Sequence, residues 1–137
     1  MIVGVGMDLT DARRIKDSVE RFGQKFLDRV FTPAEQAYAL SKTPAHPTLA
    51  KRYAAKEAVT KALGTGLRGF HFTDIEVRND ALGKPEVSLE NGALARLNAL
   101  LPAGHTARIH LSLTDEGDMA GAYVVIEAVA VAHLNNF

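Results

Sequence analysis

Glycines at positions 4 and 6 alternate with Val3 and Val5 in the apolar run that opens the chain, and the acid Asp8 closes it. Side chains of a strand point to opposite faces in turn. Asp8 therefore shares its face with Gly6, Gly4 and Ile2, and that face is nearly bare beside the carboxylate. A helix can approach such a face closely. The segment suited to do so is Arg52-Tyr53-Ala54-Ala55-Lys56-Glu57-Ala58-Val59-Thr60-Lys61-Ala62-Leu63, an alanine-rich helical stretch. At roughly 100° per residue, Glu57 falls on the side of Ala50, Ala54 and Lys61, a stripe that is also small. A glycine-faced strand packed on an alanine-faced helix would bring Asp8 and Glu57 to one edge of a shared cleft.

Neither acid sits where a solvated acid belongs. With Lys56 and Lys61 close by, they suggest a hard-cation site that handles a polyphosphate ester. Two carboxylates cannot fill six oxygen positions around Mg²⁺, which usually keeps waters and takes the remainder from substrate phosphates. The site therefore implies a phosphorylated substrate. The competing reading is structural: Glu57 pairs with Lys61 as an i,i+4 bridge worth about 0.3–0.5 kcal/mol, and Asp8 caps the next helix.

At 137 residues the chain is expected to form one domain, long enough to bury most of its apolar surface without staples. No stretch approaches the length that spans a bilayer. Met1-Ile2-Val3-Gly4 lacks a basic leader region and reads as a mature first strand, which places the protein in the cytoplasm. The absence of cysteine removes disulfides, thiolate nucleophiles and Cys-ligated zinc. Lys+Arg and Asp+Glu both number 16, so no overall field attracts nucleic acid. An acidic partner must be met by a local patch.

The first strand is predicted over Ile2 to Met7. Thr10 or Asp11 then caps a helix with Ala12, Ile15, Val19 and Phe22 on its apolar side, ended by Gly23. Gln24 to Val30 reads as a short amphipathic turn or two, and Thr32-Pro33-Ala34-Glu35 is a capping box that opens a helix to about Ser41. Thr48 is expected to cap the long helix, and Gly64 to end it. Ile75 and Val77 with Val87 and Leu89 predict a hairpin around Asn79 to Gly83, followed by an amphipathic helix carrying Ala93, Leu94, Leu97, Leu100 and Leu101. Ala107, Ile109, Leu111 and Leu113 alternate with Arg108, His110, Ser112 and Thr114, as in a half-buried strand. After a turn at Asp115 to Asp118, Met119 to about Val131 is apolar on both faces and should be a central strand. Val124, Ile126 and Val129 on it fit either a core or a surface between subunits.

Gly64-Thr65-Gly66 follows the electronegative end of its helix, so it is no Walker-type phosphate cradle, which needs a helix N-terminus. It is either a helix stop or a place where the backbone lets a ligand approach. Ser112 lacks a G-x-S-x-G elbow, and no pair of histidines has zinc spacing. His110 is the histidine best placed to act as a base.

Taken together, these segments resemble the holo-acyl-carrier-protein synthases, the small trimeric group of 4'-phosphopantetheinyl transferases. The resemblance spans nearly the whole chain. It rests on Gly4-Val5-Gly6-Met7-Asp8-Leu9 leading to Arg14-Ile15, and on Arg52-Tyr53-Ala54-Ala55-Lys56-Glu57-Ala58 followed by Lys61-Ala62-Leu63-Gly64-Thr65-Gly66. Phe31-Thr32-Pro33-Ala34-Glu35, Asp74-Ile75-Glu76-Val77, Gly83-Lys84-Pro85 and His110-Leu111-Ser112-Leu113-Thr114 add to it in the same order. It implies an α+β fold, an antiparallel sheet packed against a long central helix and shorter helices. It further implies transfer of phosphopantetheine from coenzyme A to a serine of an apo acyl carrier protein, in support of fatty acid biosynthesis.

On this resemblance Asp8 and Glu57 match the family's Mg²⁺ ligands, and Lys61 would offset charge on the departing phosphate. Arg52, Lys56, Gly64, Thr65, Gly66, Lys84, Pro85 and Thr114 would bind coenzyme A. The serine's proton has three candidate acceptors: a metal-bound water oriented by Glu57, Glu57 itself, or His110. Arg13, Arg14, Arg21 and Lys25 would dock the acidic carrier protein. A homotrimer with sites shared between chains is implied as well. One departure stands out: many family members carry a His directly after the residue equivalent to Thr114, where this chain has Asp115-Glu116. A non-catalytic module binding coenzyme A or the carrier, and a metal-dependent phosphohydrolase, are the competing functions.

Overall fold

The computed structural model describes residues 1–131. Its first strand, β1 (Ile2–Asp11), is followed by helices α1 (Ala12–Phe22), α2 (Gln24–Val30), α3 (Pro33–Leu40) and α4 (His46–Leu63). A short 3-10 turn (Phe72–Asp74) leads into the hairpin β2 (Ile75–Asn79) and β3 (Pro85–Leu89), then α5 (Asn91–Leu100), β4 (His105–Glu116) and β5 (Met119–Ala130). The three long strands form an antiparallel sheet in the order β1-β5-β4, with β2 and β3 in a separate two-stranded sheet. The fold is thus the expected α+β arrangement, with the final strand at the centre of its sheet.

The α4 helix lies on one face of the long sheet, and glycine is the reason it can. A Cβ on Gly4 would stand 2.3 Å from the Ala62 carbonyl oxygen, and one on Gly6 only 1.8 Å from that of Ala58. Strand and helix backbones are therefore in contact. The small residues that meet the glycines are Ala58 and Ala62 rather than the stripe through Glu57, which sits about 100° around the helix from Ala58 at the edge of the contact. Val124 and Ile126 are fully buried beside it, so they belong to the core. The opposite sheet face leaves Val5, Met7, Leu9 and Tyr123 exposed.

Three boundaries differ from expectation, one of them at the last hairpin, where β4 runs on through Asp115 and Glu116 and only 117–118 turn. β1 continues past Met7 because the ladder to β5 does, with Asp8 opposite Ala122 and Thr10 opposite Ala120. Backbone pairing, not side-chain polarity, ends that strand. α4 begins at His46 rather than beyond Thr48, because Pro47 falls in its first turn, where a missing N–H costs nothing. Elsewhere the local signals hold. Asp11 caps α1 by accepting from the Arg13 amide, Thr32 and Glu35 form the capping box of α3, and Gly64 ends α4 in the left-handed region at φ 84°.

Candidate active site

Asp8 leaves β1 on the helix side of the sheet, and Glu57 leaves α4 at the edge of the glycine contact. Both line one cleft of about 450 Å³, together with Thr10, Arg14, Tyr53 and Phe26. The Asp8 side chain is only 14% exposed. Lys61, one turn beyond Glu57, turns towards β1: its ammonium donates to the Met7 carbonyl at 2.9 Å and to Asp8 Oδ1 at 3.2 Å. The Thr10 hydroxyl donates to Asp8 Oδ2 at 2.8 Å. The structural reading of the two acids is thereby corrected, because Asp11 and not Asp8 caps α1, and Lys61 reaches Asp8.

Tyr53 precedes Glu57 by one turn on the same side of α4, and its ring packs on Phe72 at 5.8 Å between centroids. Burial, and then the neighbouring Glu57 carboxylate, raise its hydroxyl above the ordinary tyrosine pKa, so it remains a hydrogen-bond donor. Among the described residues, no three His, Cys, Asp or Glu side chains converge as a metal cage. Paired hard oxygen donors in a partly open cleft suit a cation that shares its coordination with water and substrate phosphate.

The residues expected to bind coenzyme A are dispersed. Arg52 and Pro85 line a second cleft of about 300 Å³ with Tyr38, Lys51, Asn79 and Asp115. Arg52 lies about 140° around α4 from Glu57, so this cleft opens on the β4 side of the helix and the first on the β1 side. The Arg52 guanidinium stacks 4.3 Å from the Tyr38 ring centroid, and its Nη2 donates to Asn79 Oδ1 at 2.7 Å. Arg52 is 4% exposed, and its buried Nε has no partner among the described residues. Asp115, in the region of departure from the family pattern, lies 4.0 Å from Lys51. Lys84 and Pro85 line a hollow of about 280 Å³ against β4. Gly64, Thr65 and Gly66 form the turn beyond α4, with Gly64 and Gly66 both at positive φ.

Three expectations are corrected. Lys56 is 0% exposed and cannot meet a ligand. Its ammonium pairs with Glu35 at 2.7 Å and donates to the carbonyls of Phe72 and Ile75, which satisfies all three of its protons. Burial pushes its pKa down, and the Glu35 carboxylate opposes that shift. His110 points to the sheet face opposite Asp8, because it pairs across from Val125 while Asp8 pairs across from Ala122; its Nε2 stands 3.0 Å from Glu127 Oε1. It is not a base for this cleft within one chain. Thr114 shares that outer face.

Of the expected docking residues, Arg14 lines the mouth of the Asp8 cleft. Arg13 is held by Asp11 at 2.7 Å and lies 3.6 Å from Asp118. Arg21 lies over the Phe22 ring, and Lys25 borders an apolar groove with Phe22 and Phe26. The sequence reading missed Thr10, Tyr53 and Glu35 as site and support residues. Thr10 was within reach of it, since the strand period puts residue 10 beside Asp8 once β1 is carried past Met7.

The site is thus a strand–helix contact floored by glycine, with two carboxylates and a lysine at its edge. The model of the 4'-phosphopantetheinyl transferase superfamily matches residues 4–119, and the chain belongs to that family. It is 55% identical over 130 residues to the holo-[acyl-carrier-protein] synthase of Xanthobacter autotrophicus, covering 94% of this chain and 96% of the relative. Among solved structures, the holo-[acyl-carrier-protein] synthase of Neisseria meningitidis superposes with a TM-score of 0.80 at 42% identity, over 93% of this chain and 99% of the other. That of Bacillus anthracis, in complex with CoA (3',5'-ADP), gives a TM-score of 0.74 at 35% identity over 94% and 99%.

Proposed function

We propose that this chain, acting as a single domain, transfers the 4'-phosphopantetheine group from coenzyme A to a serine of an apo acyl carrier protein and requires Mg²⁺ to do so. The observation that carries the reading is the meeting of Asp8 and Glu57 at one cleft, with Lys61 bonded to Asp8, in a member of this family. The serine oxygen forms a bond to the phosphorus that bears pantetheine. The bond from that phosphorus to the bridging oxygen breaks, and adenosine 3',5'-bisphosphate leaves with the electron pair.

Asp8 and Glu57 would hold the cation, which when bound would neutralise charge on the pyrophosphate. Lys61 would move its ammonium from Asp8 to the departing phosphate, a short swing for a side chain that is half exposed. Within one chain His110 faces away from the cleft, and Glu57 would accept the serine's proton, directly or through a water. Arg14, at the cleft mouth, would meet the acidic carrier, with Arg21 and Lys25 farther along the same surface.

The reading extends to a homotrimer whose sites are shared between copies. The two clefts, one on the β1 side and one on the β4 side of α4, support it, since each chain would offer both to its neighbours. The exposed apolar face of Val5, Met7, Leu9 and Tyr123 supports it as well. Among the described residues no helix is long and apolar enough to cross a membrane. We place the enzyme in the cytoplasm and its product in fatty acid biosynthesis.

The test is mass spectrometry of an apo carrier protein incubated with the chain, coenzyme A and Mg²⁺. The expected result is a gain of one phosphopantetheine mass that chelation abolishes. No gain of mass would leave a non-catalytic binding module, and cleavage of coenzyme A at the same rate without carrier would make the chain a phosphohydrolase.

A further inference from the structure

The two oxygens of the Asp8 carboxylate are held by unlike groups. Lys61, long and half exposed, donates to Oδ1 at 3.2 Å, whereas Thr10 donates to Oδ2 at 2.8 Å from a residue that is only 5% exposed. Thr10 lies two positions along β1 from Asp8, so both side chains leave the same face of the strand. A β-branched side chain is stiff at χ1, and burial narrows it further. The residues opposite the pair on β5 are Ala120 and Ala122, small enough to leave room for the bond between the two side chains. An aspartate's terminal torsion is otherwise broad, and a fixed donor on one oxygen removes that freedom.

We propose that Thr10 is a positioning residue, whose hydroxyl locks the Asp8 carboxylate so that Oδ1 is presented to the divalent cation. The proposal rests on the metal reading of Asp8 and Glu57 given above. Thr10 does not touch the cation or substrate in this role. It holds Oδ2, while Lys61 can leave Oδ1 without releasing the carboxylate's orientation. A hydroxyl that orients a ligating carboxylate contributes to metal affinity through geometry alone.

The experiment is direct Mn²⁺ binding to the full chain in the presence of coenzyme A, followed by calorimetry or by the resonance of the free ion. It compares wild type with Thr10→Val, Thr10→Ala and Thr10→Ser. Valine keeps the shape and loses the hydroxyl, alanine loses the hydroxyl without adding bulk, and serine keeps the hydroxyl without the methyl. The expected result is Mn²⁺ affinity about 10–100-fold weaker in the valine and alanine variants and close to wild type in the serine variant. Wild-type affinity in the valine and alanine variants overturns the positioning role and leaves the metal site standing. Equal weakening in all three variants assigns Thr10 to packing and overturns it too. Failure of the wild type to bind Mn²⁺ removes the metal reading itself, a distinct result.

Discussion

A Cβ placed on Gly6 would lie 1.8 Å from the carbonyl oxygen of Ala58, so β1 and α4 touch backbone to backbone at this point. That contact sets how near Asp8 and Glu57 can come. Gly6→Ala must push the helix off the strand, because the atom it meets is backbone and cannot rotate away. We expect a loss of about 3 kcal/mol in urea unfolding, at the upper end for overpacking, together with a fall in turnover.

Asp8→Ala and Glu57→Ala should each lower turnover about a thousandfold, the equivalent of about 4 kcal/mol, while circular dichroism shows an unchanged fold. Full activity in either variant would remove the metal assignment.

Lys56 behaves differently from its neighbour in the same motif. Lys56→Met leaves the Glu35 carboxylate buried without its cation and should cost about 3–5 kcal/mol of stability. The double variant Glu35→Leu with Lys56→Met should recover only part of this. Glu35 also accepts from the amides of Thr32 and Val77, and these would be left unpaired. Denaturation of the single and double variants measures both terms, and a stable, inactive Lys56→Met would return that lysine to the chemistry.

Arg14→Glu reverses a charge at the mouth of the Asp8 cleft. It should raise KM for the carrier protein about tenfold, equivalent to about 1.4 kcal/mol, with the penalty shrinking as salt is added. Steady-state kinetics with carrier and coenzyme A varied separately decides it. An effect confined to coenzyme A would contradict docking through this residue.

Asp11 gives the fold an acid limb. Hydrogen bonds from the Arg13 side chain and amide pull its carboxyl from the usual 3.8 to about 2. A depressed carboxyl pKa contributes stability that is fully present above the unfolded value and is lost as pH falls through the folded one. Wild-type Tm should therefore drop between about pH 4 and pH 2 by more than that of Asp11→Asn. Parallel Tm curves for the two proteins would refute the link.

The local elements were legible because their signals are short-range. Gly23, Gly64 and the Thr32–Glu35 box act within one turn, and the alternation along residues 107–114 marks a strand without reference to anything else. The Gly4, Gly6, Asp8 pattern also announced a close helix, since a bare strand face has few other uses. The register of that contact was less legible: any of several small stripes on an alanine-rich helix could have met the glycines, and Ala58 and Ala62 did.

By itself the sequence determined the elements, the pairing of a glycine strand with an alanine helix, and the two carboxylates with Lys61 that mark the candidate site. Only the tertiary structure decided which polar residues of the signature face solvent. Lys56 and Glu57 are adjacent in the chain yet about 100° apart around α4, so one is sealed against Glu35 while the other opens into the cleft. His110 and Leu111 are separated in the same way by the sheet, which sends His110 to the face away from Asp8. A side chain's identity is local, whereas its burial depends on what packs over it from distant parts of the chain.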